Sequence, residues 1–219
     1  MSEFVIYSIP GSPFGRAVLM ALEEKKLPFR VVGVAPRDLR SREHLARHPF
    51  GKVPVMEHGG FWLYETQAIL RYIDRVEPLP ALSPAGPQAA ARMDQLMNVN
   101  DWYLFQGVSS VIAFQRVVGP RVMGLTPDEA AIAAVMPKAH GVFEELSRQL
   151  GGGPYFLGDS MTLADLLLAP QLDIFRHIPE WEPLTAPRPN LAAWLTLMSA
   201  RPSMVATTWE RVAEMAKVA

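Results

Sequence analysis

The sequence predicts an α/β unit of order β-α-β, short helix, β-β-α, followed by an all-helical unit. Three observations carry this. Short β-rich runs alternate with helix-like runs through the first 75 residues, four prolines gather between Glu77 and Pro87 with little charge, and beyond them no strand alternation returns. A chain of 219 residues has room for one large domain or two compact ones, at roughly 100–200 residues per domain.

Phe4-Val5-Ile6-Tyr7 is rich in β-formers and is stopped by Pro10-Gly11. A helix follows, with Ser12 where an N-cap belongs and Pro13 at the first helical position, where its missing N–H costs nothing. It runs through Ala17, Leu19, Met20, Ala21 and Leu22 toward Lys25-Lys26. Phe29–Val34 is a second strand, and the intervening helix makes the pair parallel. After a polar stretch from Pro36 to Arg47 come strands Val53–Met56 and Phe61–Tyr64, joined at His58-Gly59-Gly60 by a hairpin signal. Ala68, Ile69, Tyr72 and Ile73 then recur at helical spacing. These elements give an α/β domain over residues 1–77, a proline-rich linker over 78–87 and an all-helical domain over 88–219.

In that last span Met93, Leu96, Met97 and Leu104 fit one helical face. Thr126-Pro127-Asp128-Glu129 reads as a capping box opening a helix that stops before Gly151-Gly152-Gly153. Thr162-Leu163-Ala164-Asp165 is a second box, with Met161 and Leu166 at the positions of a hydrophobic staple. Leu191–Ala200 is a short amphipathic helix closed by Arg201-Pro202.

Composition removes several function classes. Hydrophobic residues at 49% and charged residues at 20% describe a globular chain with a core rather than a disordered one. A net charge of −1 without long charge blocks argues against a nucleic-acid partner. The absence of cysteine excludes a disulfide framework, a thiolate metal site and a protein cysteine nucleophile. MSEFVIYSIPGS is no secretory signal, and the longest uncharged central stretch, Trp102–Gln115, falls short of the roughly 20 residues that span a bilayer. The expectation is a cytoplasmic protein without a membrane partner. His44 and His48 have i, i+4 spacing, but Pro49 disfavours helix at His48 and no third ligand is evident, so no metal is expected.

Four local patterns, in order along the chain, resemble the cytosolic glutathione transferases. Ser12-Pro13-Phe14-Gly15-Arg16-Ala17-Val18 looks like the active-site turn of the serine-type members. His48-Pro49-Phe50-Gly51-Lys52-Val53-Pro54 resembles the family's Asn-Pro-Phe-Gly-Gln/Lys-Val-Pro, with His48 in place of asparagine, and Glu65-Thr66-Gln67-Ala68-Ile69 resembles Glu-Ser-x-Ala-Ile. The second capping box, with Gly158-Asp159 ahead of it, matches a signature of the helical domain. The resemblance covers essentially the whole chain and is to a serine-type member of the bacterial and phi-theta-like groups. It implies a thioredoxin-like βαβαββα domain ahead of the helical one, glutathione as co-substrate with no tightly bound cofactor, a small hydrophobic electrophile, and a homodimer.

What the residues can contribute follows from the chemistry of a thiol. A free cysteine thiol has a pKa of about 8.5, and lowering it by two units takes about 2.7 kcal/mol of selective thiolate stabilisation. A helix terminus contributes roughly 0.3–2 kcal/mol and a charge-assisted hydrogen bond roughly 1.5–3. Ser12 is placed to supply both as the catalytic residue; it also reads as a plain N-cap, and the two are compatible. The resemblance implies a cis peptide at Val53-Pro54 that lets the cysteinyl backbone of glutathione pair as an added strand; a strand-edge proline is the other reading. Glu65 and Thr66, at a helix start, suit the γ-glutamyl ammonium and carboxylate, although Thr66 also reads as an ordinary N-cap. Lys52 and Arg40 are candidates for the glycyl carboxylate, with a solvated basic loop as the alternative for Arg40.

The electrophile pocket is expected from Phe14, Trp102, Phe105, Phe114 and Met123, each of which also fits a core position. Phe50 stands where an aromatic plugs the partner subunit in the family, and locally it reads equally as packing within its own domain. Thiol conjugation leads the functional readings. A glutathione-dependent peroxidase or disulfide reductase stands second, and a non-catalytic carrier or scaffold third. Isomerases of the zeta type carry a Ser-Ser-Cys-type turn that is absent here.

Overall fold

A computed structural model describes residues 2–217. Its chain divides into two units: one runs to Ser83 and resumes at Ala200, and the other is Pro84–Ser199.

The first unit is built on β1 (Phe4–Ser8), α1 (Pro13–Lys25), β2 (Phe29–Gly33), a 3-10 turn at Pro36–Arg40, α2 (Arg42–Arg47), β3 (Val55–His58), β4 (Phe61–Tyr64) and α3 (Thr66–Val76). The sheet order is β2-β1-β3-β4. β1 and β2 are parallel, as a helical crossover requires, and β3 is antiparallel to both β1 and β4. Gly59 and Gly60 connect β3 to β4 at φ of 59° and 85°, the paired positive values that a tight hairpin with matching twist needs. The architecture is thioredoxin-like, as expected. The third strand starts at Val55 rather than Val53, because Pro54 has no N–H to give to a ladder.

Phe4, Ile6 and Met56 project from one face of the sheet and are fully buried with Leu19, Met20, Ile69 and Ile73. The run Ala17 to Leu22 is buried all round its helix, a pattern that requires cover on more than one side.

The second unit begins with α4 (Pro87–Asn98), which continues through π-helical turns at Val99–Ser109, α5 (Ser110–Ala113), further π turns at Phe114–Val118 and α6 (Gly119–Met123). α7 (Glu129–Leu150), α8 (Leu163–Phe175), α9 (Trp181–Thr185) and α10 (Pro189–Ser199) complete it. α8 is its axis, buried over nearly all its length. The second capping box forms as predicted: Asp165, wholly buried, accepts from the N–H of Thr162 (2.9 Å), the Thr162 hydroxyl (3.0 Å), the N–H of Phe156 (3.1 Å) and the Trp194 indole (3.0 Å). The first box does not. Asp128 rather than Thr126 is the N-cap of α7, taking the N–H of Ala131 at 3.0 Å.

Two short helices, α11 (Pro202–Ala206) and α12 (Trp209–Met215), end the described chain. The sequence reading assigns residues 200–219 to the helical domain, whereas by contacts residues 200–217 belong with the first unit. α11 lies on α1, which supplies the second cover that its all-round apolar run calls for.

The linker region is also anchored. Lys25, buried, directs its ammonium at Asp74 Oδ1 (2.5 Å) and at the carbonyls of Glu77 (2.7 Å) and Pro80 (2.5 Å), and Asp74 accepts in addition from Leu82 N–H (3.0 Å). No helix among the described residues is long and apolar enough to cross a membrane.

Candidate functional site

Tight packing at two glycines delivers Ser12 to the head of α1. Ser12 N–H donates to Ile9 carbonyl (2.9 Å), closing the turn after β1, and Gly11 sits at φ +88°, open to glycine and strained for other residues. A side chain at Gly15 would reach within 2.0 Å of Ser8 Oγ, so only glycine lets the first turn of the helix approach the end of β1 this closely. Ser12 Oγ accepts from Gly15 N–H at 3.2 Å. The cap is real, and it uses the oxygen's lone pair, so the hydroxyl proton remains available to a second acceptor. Phe14 follows in the first turn, half-buried.

The chain between β2 and β3 assembles the next group. Gly51, at φ +62°, brings the backbone against Leu39 carbonyl and the stem of Arg40, so that Arg40 lies beside the Gly51-Lys52 peptide. Both Arg40 and Lys52 are exposed. Beneath them His44 Nε2 bonds the Lys52 carbonyl at 2.9 Å, fixing the approach to Val53. The Val53-Pro54 peptide is cis, as the resemblance implied.

His48, the departure from the family segment, is buried with its ring 4.7 Å from that of Tyr64. Burial pushes the His48 imidazole below its ordinary range, and the positive charges of His44 and Lys52 push it the same way. α2 stops at Arg47, so His44 and His48 are not two ligands on one helix; among the described residues no three metal-ligating side chains come together.

At the start of α3, Glu65 adopts φ +72° and ψ 114°. A non-glycine residue there carries a penalty of roughly 1–3 kcal/mol, and such outliers cluster at functional sites. Glu65 occupies the N-cap position without a side-chain cap bond, and Thr66, buried, is the first helical residue. Thr66 is therefore not the ordinary N-cap of the sequence reading.

Phe50 is 62% exposed, with edge-on rings of His48 (6.2 Å) and Tyr64 (6.3 Å) behind it, so it does not pack into its own domain's core. In the second unit Trp102 and Met123 are 60% and 59% exposed, and Phe105 and Phe114 are half-buried. Trp102 and Met123 are therefore not core residues, while Phe105 and Phe114 are partly covered. Arg116, between Phe114 and Met123, forks onto Glu129 (2.5 and 2.8 Å) and Glu180 (2.6 to 3.2 Å) and ties this segment to α7 and to the residue before α9. Hydrogen bonds to Glu129 and then Glu180 hold the guanidinium charged well above its ordinary range. The same unit carries an apolar groove of about 380 Å³ lined by Val99, Tyr103, Lys138, Gly141, Val142 and Glu145.

Sequence reading missed the contacts of residues 201–217. Trp209 lies over Gly11, and Arg16 donates to Met204 carbonyl (2.9 Å) and Thr207 Oγ1 (3.5 Å). The available signal was the all-apolar run in α1, which demanded a covering element.

Comparison with known proteins agrees along the chain. Residues 6–81 match the family model described as "Glutathione S-transferase, N-terminal domain" and residues 129–196 the one described as "Glutathione S-transferase, C-terminal domain". The chain is 30% identical to glutathione S-transferase F7 of Arabidopsis thaliana over 93% of its own length and 98% of that protein. Glutathione transferase F2 of Populus trichocarpa superposes with a TM-score of 0.83 at 27% identity, covering 99% of this chain and 100% of that one. A glutathione S-transferase I solved with the ligand lactoylglutathione gives 0.81 at 26% identity, with 99% of each chain covered.

Proposed function

The chain belongs to the glutathione S-transferase family, and from that premise we propose that Ser12 stabilises the glutathione thiolate for attack on small apolar electrophiles. The chain is a transferase with glutathione as its co-substrate, and its relatives are plant Phi-class enzymes. Placement in a bacterial or theta-like serine-type branch is a finer assignment, supported by the Ser12–Arg16 turn alone.

One observation carries the mechanism: Ser12 Oγ stands at the positive end of α1 with a lone pair committed to Gly15 N–H. Its proton then points to the sulfur, which gains a charge-assisted hydrogen bond and the helix field together. The thiol proton leaves to solvent, the thiolate forms the sulfur–carbon bond, and the electrophile's leaving group departs with its bonding pair. Proximity supplies the rest, since both reactants are held rather than met by diffusion.

The tripeptide's ends have partners of matching charge. Thr66 hydroxyl and the N-terminus of α3 hold the γ-glutamyl carboxylate, and Glu65 pairs with its ammonium group; the positive φ of Glu65 supports this. The backbone of Val53, before Pro54, pairs with the cysteinyl residue, and Lys52 and Arg40 meet the glycyl carboxylate. Phe14, Trp102, Phe105, Phe114 and Met123 are the candidates for the electrophile pocket; the exposure of Trp102 and Met123 supports that use.

The test is a pH titration of the bound thiolate's ultraviolet absorbance, with calorimetry alongside. In the wild type the thiol pKa falls well below about 8.5. Ser12→Ala returns it toward that value and lowers kcat/KM about 10- to 100-fold, the loss of one charge-assisted bond, with little change in glutathione affinity. Binding without a pKa shift in the wild type overturns the serine mechanism, makes Ser12 only a helix cap and moves a carrier or redox role ahead.

The enzyme acts as a cytoplasmic homodimer in this reading. Phe50, standing out from its own unit, enters the apolar groove beside Val99, Tyr103 and Val142 of a second copy. Phe50→Ala then shifts sedimentation toward the monomer at low concentration; an unchanged profile sinks the pairing.

A further inference from the structure

We infer that the C-terminal segment 201–217 positions Ser12, and that Trp209 is the residue through which it does so. This rests on the reading of Ser12 as the thiolate's hydrogen-bond donor.

The segment is fastened along α1 and ends on the turn that holds Ser12. Arg201 meets Glu24 with both ends of its fork (2.8 and 2.7 Å), and Ser203 hydroxyl donates to the same carboxylate at 2.6 Å. Further toward the helix start, Arg16 binds Met204 carbonyl and Thr207 hydroxyl, and Thr207, fully buried, donates back to Ser203 carbonyl at 2.7 Å. Trp209 then lies across Gly11. A Cβ at Gly11 would fall 2.6–2.7 Å from Cε3, Cδ2 and Cζ3 of the indole, so the ring face rests directly on the glycine backbone. Beyond it Ala216 Cβ comes within 3.1 Å of where a side chain at Gly33 of β2 would sit.

Gly11 is the weak point of the turn, because a residue without Cβ moves between positive and negative φ with little resistance. Ser12 follows it directly, and its N–H bond to Ile9 spans it. On the other side Gly15 is already pressed against Ser8. With Trp209 in place the turn is wedged between the end of β1 and an indole; without it, Gly11 is free to relax and carry the Ser12 hydroxyl with it. Donor geometry of this kind is demanding, and a misplacement of about 1 Å costs on the order of 10²-fold in rate. Trp209 is 37% exposed. It is a positioning residue, with no part in binding the tripeptide.

The experiment compares wild type, Trp209→Ala, Trp209→Phe, Arg16→Lys and Ser12→Ala. It measures the pH profile of kcat/KM with an activated aryl halide, the thiolate absorbance titration, KM for glutathione and the urea midpoint. Trp209→Ala is expected to raise the apparent thiol pKa by about half a unit to one unit and lower kcat about 10-fold near neutral pH. KM for glutathione stays within about twofold, and Trp209→Phe recovers most of the loss by restoring an aromatic face. Arg16→Lys, which keeps the charge but not the fork, moves the profile the same way and carries the test if Trp209→Ala does not fold. An unmoved profile in Trp209→Ala or Arg16→Lys, while Ser12→Ala shifts it, overturns the positioning role and spares the serine mechanism. So does a raised KM without a pKa change, which makes Trp209 a wall of the binding site. If Ser12→Ala itself leaves the profile unmoved, both readings fall.

Discussion

α1 is held at its two ends by different chemistry. At the N-terminal end the contacts are close approaches and backbone bonds: Gly11 against the Trp209 ring, Gly15 against Ser8, Arg16 on a carbonyl and a hydroxyl. At the C-terminal end they are ion pairs, Lys25 with Asp74 almost out of solvent and Glu24 with Arg201 partly exposed. A buried ion pair is expensive to unbalance, whereas close packing around a turn is expensive to misplace. Stability is therefore concentrated at one end of the helix and hydroxyl geometry at the other, so the two should separate under mutation.

The largest expected effect is on stability, at the Lys25 end. Lys25→Met leaves Asp74 without its ammonium partner and frees the Glu77 and Pro80 carbonyls, and should destabilise the fold by about 3–5 kcal/mol in urea unfolding. A loss below about 1 kcal/mol, the range of exposed pairs, removes the contrast between the ends. Ser12→Ala sharpens the same contrast from the other side. It forfeits an N-cap worth about 1 kcal/mol of stability while lowering kcat/KM by the larger factor given above. A variant that loses stability and activity in proportion would mean that Ser12 is only a cap.

The same division marks what was legible in the sequence. β1, the Ser12-Pro13 helix start, the Gly59-Gly60 turn and the Thr162–Asp165 box rest on neighbours within a few residues, and each formed where the sequence put it. Candidate site residues at 12, 52–54 and 65–66 could be proposed because their motifs are local, although the cis peptide came from the resemblance. The C-terminal strap was illegible for the opposite reason. Its helices are 5 and 7 residues long, with no strong period, and its anchors Arg16 and Glu24 lie at the far end of the chain. The π turns between Val99 and Val118 escaped because a wider turn shifts the helical period only slightly, and Leu104 still falls on the same face as Met93, Leu96 and Met97. At α7 two candidate caps stood two residues apart, and only the bond from Ala131 decided between them.

The smallest effect concerns the strap's anchor. Burial works to raise the Glu24 carboxyl, but hydrogen bonds from Arg201 and Ser203 and the charge of Arg201 outweigh it, so Glu24 sits below the ordinary carboxylate range in the folded protein. A carboxyl depressed on folding stabilises the native state at pH above its unfolded pKa of about 4.5, and that contribution is lost as pH falls through the lower folded value. Glu24→Gln should therefore lower stability by about 1 kcal/mol at neutral pH, a figure discounted for the solvent that reaches Arg201. The gap between variant and wild type should begin to close as the pH falls below about 4.5 and go on closing through the lower folded value. Thermal unfolding of both proteins from pH 7 to pH 3 measures it. A gap that stays constant across that range would assign the anchor to packing rather than charge, and α1 would then be held by the same kind of contact at Glu24 as at Gly11.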